Sequence, residues 1–142
     1  METSEFITID NAKKTNEWQS AYCVIARETI DGRVVMRKSL REEYLDNGDL
    51  RDMLRKEYAL GSLLAEHMPY VVGYRRMTDD ARECSIVMDY VEGETVDVFI
   101  STHPDFFRKE SNLRRFLSQL LEGLEEIHNS QVVHMDIKPS NV

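Results

Sequence analysis

Residues Val132–Val142, VVHMDIKPSNV, bring four polar side chains of different chemistry into one short run. Asp136 and Asn141 are both oxygen ligands, five positions apart, and Lys138 lies between them. Together they offer a carboxylate to orient a hydroxyl, a cation for a phosphate and an amide oxygen for a metal. That set suits phosphoryl transfer, in which positioning and charge neutralisation do most of the work.

Two further charges stand where apolar residues are expected. Strand alternation across Arg33–Leu40, RVVMRKSL, puts Val34, Met36, Lys38 and Leu40 on one face and Val35, Arg37 and Ser39 on a wetter one. A lysine among three apolar residues needs a partner. The second charge is Glu57, in LRDMLRKEYALGSLLAEH. At about 100° per residue, Leu50, Met53, Leu54, Gly61 and Leu64 share a helical stripe with Glu57 at its centre. A carboxylate there is costly unless paired. Lys38 and Glu57 are expected to satisfy each other across a strand–helix interface and to leave an ammonium able to meet a phosphate.

The elements that must position these groups follow from local pattern. Phe6–Ile9 alternates as a short strand does. Tyr22–Glu28 and Arg33–Leu40 are apolar runs split by Asp31-Gly32, a hairpin signal. Asp49 is the expected N-cap of the helix and Pro69 its stop. Val71–Met77 and Ser85–Asp89 suggest a second strand pair. Tyr90–Thr95 has the composition of a connector. Asp97–Ser101 suggests a short helix ended by His103-Pro104. From Asn112 a longer helix carries Leu113, Phe116, Leu117, Leu120, Leu121, Leu124, Ile127 and His128 on one stripe, expected to face a core. NSQVV is expected to lead through a short strand to His134. The map is an α+β chain: a small β-rich lobe with one helix, a linker, and the start of a helical lobe.

Composition agrees with a folded chain. Of 142 residues, 42% are hydrophobic and 31% charged, and the net charge is −8. The acidic balance argues against nucleic acid or an anionic membrane as partner. No stretch approaches a membrane span, and METSEFITID does not have the pattern of a signal peptide. Cys23 and Cys84, far apart, suit thiols in a reducing cytoplasm.

HMDIKPSN resembles the catalytic loop of protein kinases, H-R-D-x-K-P-x-N, at every fixed position but one. Five fixed residues at set spacing arise by chance on the order of once in a few million windows. The remainder agrees in order and spacing. The resemblance implies a kinase-like small lobe over residues 1–88, a hinge over 89–95 and the start of the large lobe over 96–142. It implies ATP and magnesium as cofactors and a protein as substrate. Lys38 would hold the nucleotide phosphates, with Arg37 as the alternative register that alternation disfavours, and Glu57 would pair with it. Met88 would stand beside the adenine, and the Asp89 and Val91 backbones would bond its edge. Asp136 would take or orient the substrate hydroxyl proton, Lys138 would steady the γ-phosphate, and Asn141 would ligate magnesium. Lys138-Pro139 favours the serine/threonine type.

The departures from the family pattern carry their own expectations. Kinases place G-x-G-x-x-G between the first two strands. NAKKTNEWQSAYCV stands there without a glycine, so its backbone would approach phosphate less closely. Met135 replaces an arginine that meets activation-loop phosphate, which predicts independence of such phosphorylation. The family pattern continues beyond Asn141 to D-F-G, a triplet not found in these residues. They are therefore expected to be the first half of a kinase domain, inactive alone, with the Leu113–Ile127 stripe exposed and prone to self-association. A noncatalytic kinase-like binding module is the second reading. A small-molecule phosphotransferase of the same superfamily is the third.

Overall fold

The computed structural model describes residues 17–142. The strand expected at Phe6–Ile9 lies outside them. The chain forms two compact units, divided after Val91.

The first unit is a five-stranded antiparallel sheet with one long helix. The strands are β1 (Glu17–Gln19), β2 (Cys23–Ile30), β3 (Arg33–Leu40), β4 (Tyr74–Asp79) and β5 (Cys84–Asp89), in the order β1-β2-β3-β5-β4. Asp31 and Gly32 both take positive φ, 49° and 76°, as the two-residue β2–β3 turn requires. In β3, Lys38 pairs with Ile25 of β2 on one side and Ile86 of β5 on the other. It therefore sits in the central strand, where ladders on both sides hold its backbone.

The helix α1 runs Gly48–His67. Its N-cap is Asn47, whose Oδ1 accepts the Leu50 N–H at 3.1 Å, in place of the expected Asp49. Asp49 instead sits in the first turn, where its charge meets the helix dipole. Leu54, Gly61 and Leu64 are buried as the stripe predicts. Leu54 joins Cys23, Leu40, Cys84 and Ile86 in the core. Each fully buried aliphatic side chain contributes about 1.5–3 kcal/mol. The two faces of β3 differ from expectation: Val35 is buried and Val34 is exposed. Along β3 burial runs from exposed Arg33 and Val34 to buried Leu40 rather than alternating strictly, because a strand's alternation reports which side a residue faces and not what covers it.

The second unit comprises α2 (Val96–Thr102), a 3-10 turn at Phe106–Arg108, α3 (Glu110–Asn129) and a 3-10 turn at Pro139–Asn141. Phe99, Phe106, Phe107 and Phe116 form edge-to-face ring pairs at 4.9–6.0 Å. The stripe of α3, expected to face a core but to lose its covering in these residues alone, is uncovered: no residue of α3 is buried, and Leu113, Leu117 and Leu121 are exposed. Among the described residues of this unit, only short elements stand beside α3. The helix ends in a left-handed Gln131, with Val132 N–H donating to Ile127 O and Gln131 N–H to His128 O. No strand follows; residues 132–138 form no regular element.

Candidate functional site

In the first unit, Lys38 Nζ meets Glu57 Oε2 at 2.8 Å. Their side chains are 18% and 28% exposed, so both charges are largely withdrawn from water and each depends on the other. The neighbouring Arg37 points elsewhere. Its guanidinium donates to Glu28 at 2.9 Å, and to Glu83 at 2.7 Å and Ser85 at 3.2 Å. Burial works against that charge, but the two carboxylates outweigh it and raise the Arg37 pKa. Lys38 is thus the residue of this strand that reaches α1, and Arg37 braces the sheet.

Tyr74 of β4 stands near this pair. Burial first, then the influence of Glu57, pushes its phenol up to about 12. Its ring lies against α1 at Gly61, where a Cβ would come 2.5 Å from Cζ and 2.6 Å from Cδ2. Only glycine leaves room for the ring there. The sequence showed Gly61 on the stripe and Tyr74 in a strand, but nothing local joins them.

The helix is also clamped to the end of β4. Asp79 accepts from Arg51 and Arg55, one turn apart on α1. Hydrogen bonding from Arg55 leads the effects that hold the Asp79 carboxyl below the usual range. Cys84, next to β4 in the sheet, is buried, which pushes its thiol up, and it forms no disulfide with Cys23.

At the end of β5, Met88 pairs with Met36 and Tyr74. A bulge at Arg75 sets its guanidinium fork on the Asp89 carboxylate at 2.6 and 2.7 Å. The Asp89 N–H donates to Gly73 O at 2.8 Å. Val91 is exposed.

The glycine-free segment forms a tight turn where it is described. Gln19 pairs with Val24, and Ser20–Tyr22 connect β1 to β2. Buried Ser20 closes it: its N–H donates to Cys23 O at 2.8 Å, and its Oγ accepts the Cys23 N–H at 3.0 Å. Arg41 caps the Ser20 carbonyl. The rest of that segment lies outside the described residues.

In the second unit, the closing run folds on itself. Lys138 Nζ lies 3.0 Å from Asp136 Oδ2. Asn141 Nδ2 donates to both the backbone O and Oδ2 of Asp136, each at 2.9 Å. The Asp136 N–H donates to His134 Nδ1 at 3.3 Å. Met135, between them, takes φ 61°, a conformation costly for a side chain of its kind. It turns the chain so that His134 and Asp136 meet. Lys138 first, then Asn141, holds the Asp136 carboxyl below its ordinary range against partial desolvation. Because the Asn141 nitrogen faces Asp136, its oxygen is the end offered outward. That suits one ligand position on a hard cation shared with phosphate oxygens. Among the described residues no cluster of three or more His, Cys, Asp or Glu stands ready to hold a metal.

Residues 17–142 match the family model of the protein kinase domain. The serine/threonine-protein kinase PknA of Corynebacterium glutamicum is 32% identical over 126 residues, 83% of this chain and 25% of its own length. Serine/threonine-protein kinase PrkC of Bacillus subtilis is 30% identical over 118 residues, 83% of this chain and 18% of its own. Wee1-like protein kinase 2 of Homo sapiens is 31% identical over 140 residues, 97% of this chain and 24% of its own. The chain thus spans a quarter or less of the length of these relatives. With a catalytic-loop pattern ordered around Asp136, a strand lysine paired to a helix glutamate, and a family match over nearly its whole length, the chain belongs to the protein kinase family.

Proposed function

We propose that the protein carrying this chain transfers a phosphoryl group from ATP to serine or threonine hydroxyls of a protein substrate. The observation that carries the reading is the Asp136 carboxylate, held ionised by Lys138 at 3.0 Å and by Asn141 at 2.9 Å. A carboxylate so held is a base available to orient a hydroxyl, while its lysine neighbour can neutralise charge on the transferred group. Lys38, kept in place by Glu57, holds the nucleotide phosphates. Met88, Asp89 and Val91 meet the adenine. With the Asp89 N–H engaged by Gly73, the Val91 amide supplies the donor on that edge. Asn141 ligates magnesium, which would neutralise phosphate charge when bound. Among the described residues no helix is long and apolar enough to cross a membrane, and the reading places the protein in the cytoplasm.

The test is phosphotransfer from labelled ATP to a protein substrate by the whole protein. Lys38→Met and Asp136→Asn should each lower turnover by at least about a thousandfold, as loss of a positioned charge or base does. Folding, followed by circular dichroism, should be kept. Retained turnover in either variant would falsify the site assignment.

The tight Ser20–Cys23 turn favours a second reading, a kinase-like binding module. It offers few backbone donors to phosphate where it is described. Binding of Mg-ATP without turnover by the wild-type protein would establish that reading over the first. A third possibility, phosphotransfer to a small alcohol, is separated by assaying peptides and small alcohols side by side.

A further inference from the structure

We infer that Arg75 and Arg27 are positioning residues that fix the chain leaving β5 and so set the preference for adenine over guanine. The inference rests on the proposed function, because it takes the backbone from Asp89 to Val91 as the edge that meets the adenine.

Asp89 and Tyr90 are held by different strands. On the β4 side, the Arg75 fork grips the Asp89 carboxylate, with Nε on Oδ1 at 2.6 Å and Nη2 on Oδ2 at 2.7 Å. The register shift between Tyr74 and Arg76 re-aims Arg75 to reach it. The Asp89 N–H donates to Gly73 O at 2.8 Å, so backbone and side chain are tied to the same short stretch. Gly73 leaves room for this: a Cβ there would overlap Asp89 Oδ2 and stand 3.1 Å from its Cγ. On the β2 side, the Arg27 guanidinium lies over the Tyr90 ring, 4.4 Å from its centroid. In the sheet, β2 and β4 flank the β3–β5 pair. Successive residues are thus held from its two sides, and the next amide, that of Val91, has little freedom of direction. The edges of adenine and guanine place donors and acceptors in opposite order. An amide of fixed direction discriminates between them, where a loose one adapts. A lone exposed ion pair contributes little, but a planar two-bond fork sets direction.

Neither arginine touches the nucleotide in this account; each acts through the residue it holds. The measurement is the Kd of the whole protein for Mg-ATP and for Mg-GTP, with thermal unfolding run in parallel. Both ligands carry the same triphosphate, so the ratio of the two values isolates the base. The wild type should favour Mg-ATP by at least about tenfold. Arg75→Leu should lower that ratio roughly two- to fivefold, chiefly by weakening Mg-ATP. Arg75 is 57% exposed, so Tm should stay nearly unchanged. Arg75→Lys keeps the charge, loses the fork and should behave alike. Arg27→Leu should lower the ratio about twofold. Gly73→Ala should act as Arg75→Leu does, by displacing the carboxylate. In an Asp89→Leu background, Arg75→Leu should change the ratio no further.

If these residues only brace the fold, both nucleotides weaken alike and the ratio stays. That outcome overturns the inference, as does a wild type that binds the two nucleotides equally. If Arg75→Leu fails to fold, Arg75→Lys and Arg27→Leu decide the question. Lys38→Met tests the underlying reading and should weaken both nucleotides alike. If it leaves both Kd values intact, the proposed role of Lys38 fails, while the ratio in Arg75→Leu still decides the inference. A wild type that binds neither nucleotide overturns both.

Discussion

Lys38 and Glu57 are 19 positions apart and meet at 2.8 Å across a strand and a helix. Asp136, Lys138 and Asn141 meet over a span of five positions. The first arrangement exists only because a core draws α1 onto the sheet, with Leu54 fully buried between them. The second is made by neighbours along the chain: a left-handed Met135, a proline that starts a 3-10 turn, and an asparagine that folds back. In the first unit chemistry is a product of packing. In the second it is a product of local conformation, in a unit whose long helix buries no residue. The first should therefore be fragile to distant core changes and the second nearly indifferent to them.

The largest effect should come from Leu54→Ala. Removing a fully buried leucine costs about 3 kcal/mol, and the loss should release α1 and abolish the Lys38–Glu57 contact. Denaturant unfolding checks the energy, and the chemical-shift response of Asp136 checks that the closing run is unaltered. A shifted Asp136 would break the contrast between the units.

A smaller effect is expected at the clamp between α1 and β4. Asp79→Asn removes a carboxylate shared by Arg51 and Arg55, and Tm should fall by a few degrees. The pH dependence has a defined sign. The folded-state pKa of Asp79 is depressed, so the unfolded chain takes up its proton first as pH falls. The stabilisation is present in full above the ordinary aspartate range, near pH 4, and is lost as pH falls through the folded value. The wild type should lose stability in that acid window, and Asp79→Asn should lose less there. Equal acid sensitivity would mean that the clamp does not hold the helix.

The smallest effect should be at the exposed face of α3. Leu121 is 62% exposed, and Leu121→Ser should change stability by no more than about 0.5 kcal/mol. A loss approaching that of Leu54→Ala would mean the face is covered in the whole protein, and the second unit would then resemble the first.

What was readable in advance follows the same division. The Asp31-Gly32 hairpin, the β3 strand and the α1 stripe were legible because turn chemistry and periodicity are local properties. The pairing of Lys38 with Glu57 was also legible, because each was an unmatched charge in an apolar pattern. Asn47 was missed as the cap because Asp49, another good capping type, stood two positions on. The burial of Val35 was missed because the pattern of β3 reports alternation but not what covers each face.

By itself, then, the sequence determined which groups are proposed to carry the chemistry: the catalytic-loop pattern with Asp136, Lys138 and Asn141, and the two charges that had to find partners. Turn residues and amphipathic periods act over a few positions, and so does the self-contained hydrogen bonding of the closing run. Only the tertiary structure decided that the Tyr74 ring fills the space left open at Gly61, and that Arg51 and Arg55 share Asp79. Those contacts join elements separated along the chain, and their geometry is set by how side-chain volumes fill a common core, a property that belongs to no single segment.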